Sequence, residues 1–116
     1  MSKIFRVWGD VIHDSRGDPT VQATVQTDNN IIGSAAIPAG ASKGVFESAV
    51  VDTDQAVKNI SEFIEPALRG VEVTDQRLID QKMIELDGTA NKSRLGTNSI
   101  LGVSMAAARA GAKTTD

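Results

Sequence analysis

The sequence predicts an α+β fold in which a three-stranded antiparallel meander is followed by a helical set. Apolar residues first alternate with polar ones at a period of two, and later recur at helical intervals. Strands that precede helices, rather than alternating with them, are typical of this class. We therefore expect strands near 4–12, 20–27 and 31–37, and helices near 54–69, 74–86 and 97–112.

The predicted strands differ in how clearly the sequence marks them. Residues 4–12 alternate imperfectly, and we expect the strand to be broken or bulged at Gly9. Residues 21–26 alternate strictly between apolar and polar side chains, which is typical of a half-buried antiparallel strand. Residues 28–30, Asp-Asn-Asn, tolerate left-handed turn geometry, so a hairpin should connect this strand to the one near 31–37.

The first helical pattern begins close to a capping signal. Asp52 and Gln55 have the spacing of a capping box, so the helix should begin near Asp54. Pro66 lacks the backbone N–H that a helix interior needs, and we expect it to kink or end this helix.

The second and third helical patterns also carry end signals. Thr74 is the predicted N-cap of the second helix, and Asp87–Gly88 should stop it. Thr97 or Asn98 is expected to cap the third helix. That helix is rich in serine and alanine, whose short side chains permit close packing, so it should be the most buried of the three.

Length and composition favour a single soluble domain, residues 1–116. The chain has 116 residues, no cysteine, a formal net charge of −3 and 3% aromatic residues. Scarce aromatic rings and mixed charges argue against direct nucleic-acid binding. No apolar run approaches the ~20 residues that span a bilayer, so we expect no membrane contact. The lack of cysteine is compatible with the reducing cytoplasm, where we expect the protein to be located.

A loop of small residues lies between the predicted sheet and the helices. Its glycines let main-chain groups approach a ligand closely. Ser42 offers a hydroxyl and a carbonyl oxygen, which are ligands that Mg²⁺ accepts, and Lys43 offers a charge for an anion. The alternative is a flexible strand-to-helix connection without a ligand. The candidate loop residues are Gly40, Ala41, Ser42, Lys43 and Gly44.

Other polar residues favour structural roles. His13, the only histidine, is assigned no function, and Arg16 either binds an anion or stabilises its turn by pairing with Asp14 or Asp18. The segment 91–94, Asn-Lys-Ser-Arg, is expected to satisfy helix ends. Four glutamates are interpreted as solvated helix faces without a metal-ligand pattern: Glu62, Glu65, Glu72 and Glu85.

Three segments together resemble one family. Residues 14–20 resemble the enolase signature DSRGNPT, residues 38–44 resemble PSGASTG, and residues 86–104 resemble LDGTxNKSxLGANAILGVS. The resemblance runs from about Ile4 to Ala112, and it covers only the N-terminal domain of enolases. The family's barrel domain has no counterpart in this sequence.

The resemblance implies an activity and a partner. Enolases reversibly dehydrate 2-phosphoglycerate to phosphoenolpyruvate with two Mg²⁺ ions. Their base lysine, acid glutamate and first-metal carboxylates lie on the barrel, so no catalytic residue is expected in this segment. The N-terminal domain contributes a closing loop, in which Ser42 matches the ligand of the second Mg²⁺. The implied partner is the barrel of the same enzyme.

The sequence also departs from the family pattern. Ala39 and Lys43 replace a serine and a threonine of the loop motif, and the segment between Glu47 and Ala56 is shortened. Lys43 could aid phosphate binding or repel the metal, and the shorter segment puts normal loop closure in doubt. A non-catalytic enolase-like domain that binds a protein partner is therefore one alternative. The capping domain of another enolase-superfamily enzyme is a second.

Two further departures concern the subunit interface. The family often carries arginine at the position of Asp10 and glutamate at that of Gln22, both facing the partner subunit. Because the usual ion pairs of the dimer are missing, the resemblance does not by itself imply a homodimer.

Overall fold

The computed structural model of the chain describes residues 2–37, 52–88 and 94–114, and it confirms the α+β prediction. Three strands form one antiparallel sheet in the order β1-β2-β3: β1 (Ile4–His13), β2 (Pro19–Thr27) and β3 (Ile32–Ala36). The helical part comprises α1 (Thr53–Asn59), a π-helical segment (Ile60–Ile64), α2 (Glu65–Leu68), α3 (Gln76–Asp87) and α4 (Thr97–Thr114).

The irregularity in β1 lies near its start, so the prediction of a break at Gly9 is wrong. The register with β2 shifts between Ile4 and Arg6, whereas Gly9 pairs regularly with Ala23. Gly9 is required for packing instead, because a Cβ atom there would lie 2.9 Å from Cδ1 of Ile60. The glycine thus marks a close approach between the sheet and the π-helical segment.

The predicted hairpin between β2 and β3 is confirmed. Asn30 has a φ of 64°, in the left-handed region that asparagine tolerates. Its N–H donates to the carbonyl of Thr27, and the N–H of Thr27 donates to the carbonyl of Ile31. The apolar positions of β2 form the buried face of the sheet: Val21, Ala23 and Val25.

The first helix begins as predicted but passes Pro66 without ending. Asp52 caps α1 and accepts a hydrogen bond from the N–H of Asp54, whereas the side chain of Gln55 bonds to Asn59 and does not complete a capping box. Just before Pro66 the chain widens into a π turn, in which the N–H of Glu65 bonds to the carbonyl of Ile60. Because of this wider turn the chain remains helical through Pro66, although Pro66 has no backbone N–H to donate.

The start of α3 is displaced by one residue from the prediction. Asp75, not Thr74, is the N-cap, and its carboxylate accepts from the N–H of Leu78. The hydroxyl of Thr74 instead lies 3.3 Å from Oε2 of Glu72. At the other end Gly88 adopts a φ of 70° and donates to the carbonyl of Ile84, which confirms the predicted stop.

Helix α4 lies close against β3. A Cβ atom at Gly33 would come within 2.4 Å of backbone atoms of both Ala106 and Ala110, so only glycine fits there. More than half of the α4 residues are buried, as predicted for the most buried of the described helices. Thr97 and Asn98, predicted as alternative caps, instead lie inside its first turn.

The core lies between the sheet and the helices. It includes Val7 and Val25 from the sheet, Ile60 and Ile64 from the π-helical segment, and Val103 from α4, all essentially inaccessible to solvent. Among the described helices, none combines the length and the hydropathy that a bilayer span requires.

Candidate functional site

The five residues predicted to form the closing loop, Gly40 to Gly44, lie outside the described residues. The structure does describe the two residues from which this segment departs, Ile37 after β3 and Asp52 before α1. Ile37 and Asp52 therefore define the positions between which the candidate loop lies.

Ile37 is held firmly to the beginning of β2. Its N–H donates to the carbonyl of Val21 at 3.1 Å, and its carbonyl accepts a hydrogen bond from the hydroxyl of Thr20. The Ile37 side chain is buried. Both backbone polar groups of the last residue before the candidate loop are thus satisfied by the same neighbouring strand.

The turn that matches the first motif is stabilised by one carboxylate. Oδ1 of Asp14 accepts hydrogen bonds of 2.9 Å from the backbone N–H groups of Arg16 and Asp18. Gly17, with a φ of 85°, donates to the carbonyl of Asp14. The Asp14 carboxylate thus binds backbone N–H groups of the turn. Among the described residues no salt bridge joins the Arg16 guanidinium group to Asp14 or Asp18, so the predicted pairing of this side chain is not observed.

The third motif is fixed by two buried polar side chains. Oδ1 of Asp87 accepts from the N–H of Leu95 at 2.6 Å, and Nδ2 of Asn59 donates to the carbonyl of Leu95 at 3.0 Å. Residues 91–93, predicted to satisfy helix ends, lie outside the described residues. Sequence analysis missed the positioning role of Asp87 and Asn59, although each is a polar residue at the end of an apolar helical stripe.

Strand directions bring the first two motifs to one end of the sheet. Because the sheet is an antiparallel meander, the end of β1, the start of β2 and the end of β3 lie together. His13 pairs with Pro19, and Gln22 pairs with Ala36. The turn at residues 14–18 and the departure point of the candidate loop therefore share this end of the sheet, which we call the loop end.

The start of α1, which follows the candidate loop, and the start of α4, which belongs to the third motif, also lie at the loop end. Helix α4 runs antiparallel to β3, since Gly102 faces Ile37 whereas Lys113 reaches the carbonyl of Ile32. The α1 and π-helical segments run antiparallel to β1, since Ile60 packs beside Gly9 and Glu65 bonds to Val7 further back. Asp52 and the start of α4 thus face the same end as the sheet turn.

The described residues at the loop end include the carboxylates of Asp14, Asp18 and Asp52 and the imidazole of His13. Within 2–37, 52–88 and 94–114, no three side chains of His, Cys, Asp or Glu are grouped as a metal site would require. His13 is exposed at the end of β1, and no interaction in the described part of the chain gives it a chemical task.

A groove of about 330 Å³ lies elsewhere, beside the second half of α4. Its lining is mostly apolar and consists of Val73, Thr74, Gln76, Ala108, Gly111 and Ala112. Because α4 begins at the loop end, the groove belongs to the opposite part of the domain. It does not form part of the candidate site.

Comparisons with known proteins agree with the three motifs. The family model described as "Enolase, N-terminal domain" matches residues 4–116. A protein named enolase from Acidothermus cellulolyticus is 50% identical to the chain, over an alignment that covers 90% of this chain and 27% of that enolase. The chain thus spans about a quarter of the length of this curated relative.

Proposed function

The chain belongs to the enolase N-terminal domain family, and we propose that it acts as the capping domain of a phosphopyruvate hydratase. In this proposal residues 1–116 form one domain that functions in the cytoplasm against the barrel domain of the same enzyme. The observation that carries the proposal is the loop end, where the turn at residues 14–18, Ile37 and the start of α4 meet. A cap needs such an end, because its ligand-facing loops must converge on one surface.

The proposed task of the loop is to close over 2-phosphoglycerate during its conversion to phosphoenolpyruvate. Ser42 fits the donor chemistry of a second Mg²⁺, since its hydroxyl and carbonyl are hard oxygen ligands. When bound, the metal would supply electrostatic stabilisation of the negative charge that develops on the substrate. Gly40, Ala41 and Gly44 let the backbone approach the substrate, and Lys43 adds a positive charge beside it. The anchoring of Ile37 supports this role by giving the loop a fixed base.

The segment by itself is proposed to be inactive. Even a ~10⁶-fold rate enhancement requires roughly 8 kcal/mol of transition-state stabilisation. A general base and carboxylate ligands are needed for that chemistry, and the resemblance to enolases assigns both to the barrel domain. Two neutral oxygens of Ser42 are also too few to bind Mg²⁺ tightly, because this ion gives up its waters reluctantly.

The test is complementation with a separately produced enolase barrel. Formation of phosphoenolpyruvate is followed by absorbance with Mg²⁺ present, first with the 116-residue chain alone and then with the barrel added. We expect activity only in the mixture, and a reduction on Ser42→Ala. Ser61→Ala, which removes an exposed hydroxyl from the π-helical segment, is the matched control. Turnover by the chain alone, above its Ser42→Ala variant, would contradict the proposal.

A second candidate is a non-catalytic enolase-like domain that binds a protein partner. The shortened segment between Glu47 and Ala56, with Ala39 and Lys43 in the loop motif, favours this alternative. In that case the chain would confer no activity on the barrel, and restoring the loop by Ala39→Ser and Lys43→Thr would not change the outcome. A cap from another enolase-superfamily enzyme is instead distinguished by activity with a different carboxylate substrate.

A further inference from the structure

One threonine joins the first motif to the base of the candidate loop. Thr20 is the last residue of the motif at residues 14–20, and its hydroxyl donates to the carbonyl of Ile37. Ile37 is the last described residue before the candidate loop. The proposed function gives the loop a task and gives the first motif none. This hydrogen bond is a direct link between the two.

The bond from Thr20 takes the place of a regular bond of the sheet. Ile37 follows Ala36, the last residue of β3, and its N–H donates to the carbonyl of Val21 at 3.1 Å. In a regular antiparallel ladder a hydrogen-bonded pair exchanges two such bonds. Among the described residues no return bond runs from the N–H of Val21 to the carbonyl of Ile37. That carbonyl accepts from the Thr20 hydroxyl instead, at the point where β3 ends.

The surroundings of Thr20 hold it in the position that this bond requires. Its side chain lies on the face of the sheet opposite to that of the core residue Val21, yet only 6% of Thr20 is exposed. Just before it in the sequence, Oδ1 of Asp14 accepts from the N–H of Asp18, and the N–H of Asp14 donates to the carbonyl of Asp18, each at 2.9 Å. Because a β-branched side chain has a restricted χ1, the fixed backbone also fixes the direction of the hydroxyl.

We propose that Thr20 is a positioning residue for the candidate loop, and that the turn at residues 14–18 serves to hold it in place. Pro38 follows Ile37 in the sequence, and a residue before proline is biased toward extended conformations. Within that restriction, the orientation of the Ile37 carbonyl determines the direction in which the chain leaves the sheet. This inference rests on the proposed function, in which the loop carries Ser42 to the second Mg²⁺.

The first test is hydrogen exchange on the complete chain, without the barrel or the metal. Thr20→Val keeps the shape of the side chain and removes the hydroxyl, so the Ile37 amide should exchange about tenfold faster. The Thr27 amide, at the other end of β2, is the internal reference and should change little. Thr24→Val is the matched control, because Thr24 is equally buried and its hydroxyl bonds to Ser34 instead. Thr20→Ser keeps the hydroxyl and should restore slow exchange at Ile37.

The second test is the complementation assay with the same variants. Thr20→Val should raise the Mg²⁺ concentration for half-maximal activity about tenfold, whereas Thr20→Ser and Thr24→Val should stay within about threefold of the parent. The proposal is overturned if exchange at Ile37 is accelerated no more than at Thr27, or if Thr20→Val and Thr24→Val need equal Mg²⁺. If the parent chain gives no activity with the barrel, the proposed function fails, and exchange at Ile37 alone decides whether Thr20 positions the end of the sheet.

Discussion

The backbone N–H of Val7 donates a hydrogen bond of 3.0 Å to Oε2 of Glu65, which follows it by 58 residues. Oε1 of the same carboxylate accepts from Nη2 of Arg69 at 2.9 Å. Strand β1 is an edge strand, and unpaired N–H groups at an edge can bind another chain. Glu65 therefore joins α2 to the sheet and also covers this part of the edge.

Replacing Glu65 should destabilise the domain more than replacing its ion-pair partner. Glu65→Ala leaves the Val7 N–H without its acceptor, and we expect a loss of about 1–3 kcal/mol in the free energy of unfolding. Arg69 is largely exposed, so Arg69→Ala should cost only about 0.5 kcal/mol. Urea unfolding of both variants measures the difference. Equal losses would show that the bond to Val7 contributes little.

The opposite edge of the sheet is covered by α4. Nη1 of Arg109 donates to the carbonyl of Ser34 at 2.7 Å, and Nζ of Lys113 donates to the carbonyl of Ile32. These contacts are possible because Gly33, between the two carbonyl groups, lets the helix backbone approach the strand. One glycine thus brings two exposed cations within reach of the edge.

Gly33→Ala should be among the most damaging single-methyl substitutions in the described part of the chain. The new Cβ atom would lie 2.4 Å from backbone atoms of α4, which cannot turn away as a side chain can. We expect a loss of about 3 kcal/mol or more, since overpacking of this kind costs ~1–3 kcal/mol even where neighbours adjust. Gly17→Ala is the control, because Gly17 also has a special backbone angle but has open space around it. It should cost about 1–2 kcal/mol, as measured by thermal unfolding.

Sequence patterns predicted the elements well, because period and turn chemistry are local properties. The strand predicted near 20–27, the left-handed turn at Asn30 and the stop at Gly88 were all confirmed, although Thr24 in that strand is buried as well as its apolar neighbours. The misplaced features depend on contacts between distant residues. Gly9 was predicted as a break, although its role is to admit Ile60, which lies 51 residues later by sequence number.

The glutamates illustrate the same limit. All four were interpreted as solvated helix faces, and the structure corrects this for two of them. Glu65 accepts from Val7, while Glu72 lies outside the helices and accepts from Ser2. Charge pattern alone cannot distinguish a solvated glutamate from one that satisfies a distant backbone N–H. The predicted loop residues 40–44 remain a prediction, because they lie outside the described residues.

Substitution of Asp87 should loosen the start of α4. The Leu95 N–H donates to this buried carboxylate at 2.6 Å, and a bond to a charged acceptor is stronger than one to a neutral amide. Asp87→Asn should therefore lower the free energy of unfolding by about 1–2 kcal/mol and speed hydrogen exchange at the Leu95 amide. Asp80→Asn serves as the comparison, since Asp80 bonds to Ser104 in the middle of α4. If the Leu95 amide exchanges equally in both variants, the positioning role of Asp87 is refuted.

The charge of Lys43 should weaken the binding of Mg²⁺ in the complemented enzyme. In the proposed function Ser42 binds the second metal, and Lys43 is the next residue in the sequence, so its positive charge would repel a divalent cation bound there. In a water-like environment this repulsion amounts to about 1 kcal/mol, and salt reduces it further. Lys43→Thr, which restores the family residue, should therefore lower the Mg²⁺ concentration for half-maximal activity about threefold. Lys43→Gln separates charge from side-chain shape and should act in the same direction. A rise in the KM for 2-phosphoglycerate in both variants, with the Mg²⁺ dependence unchanged, would instead assign Lys43 to the substrate phosphate.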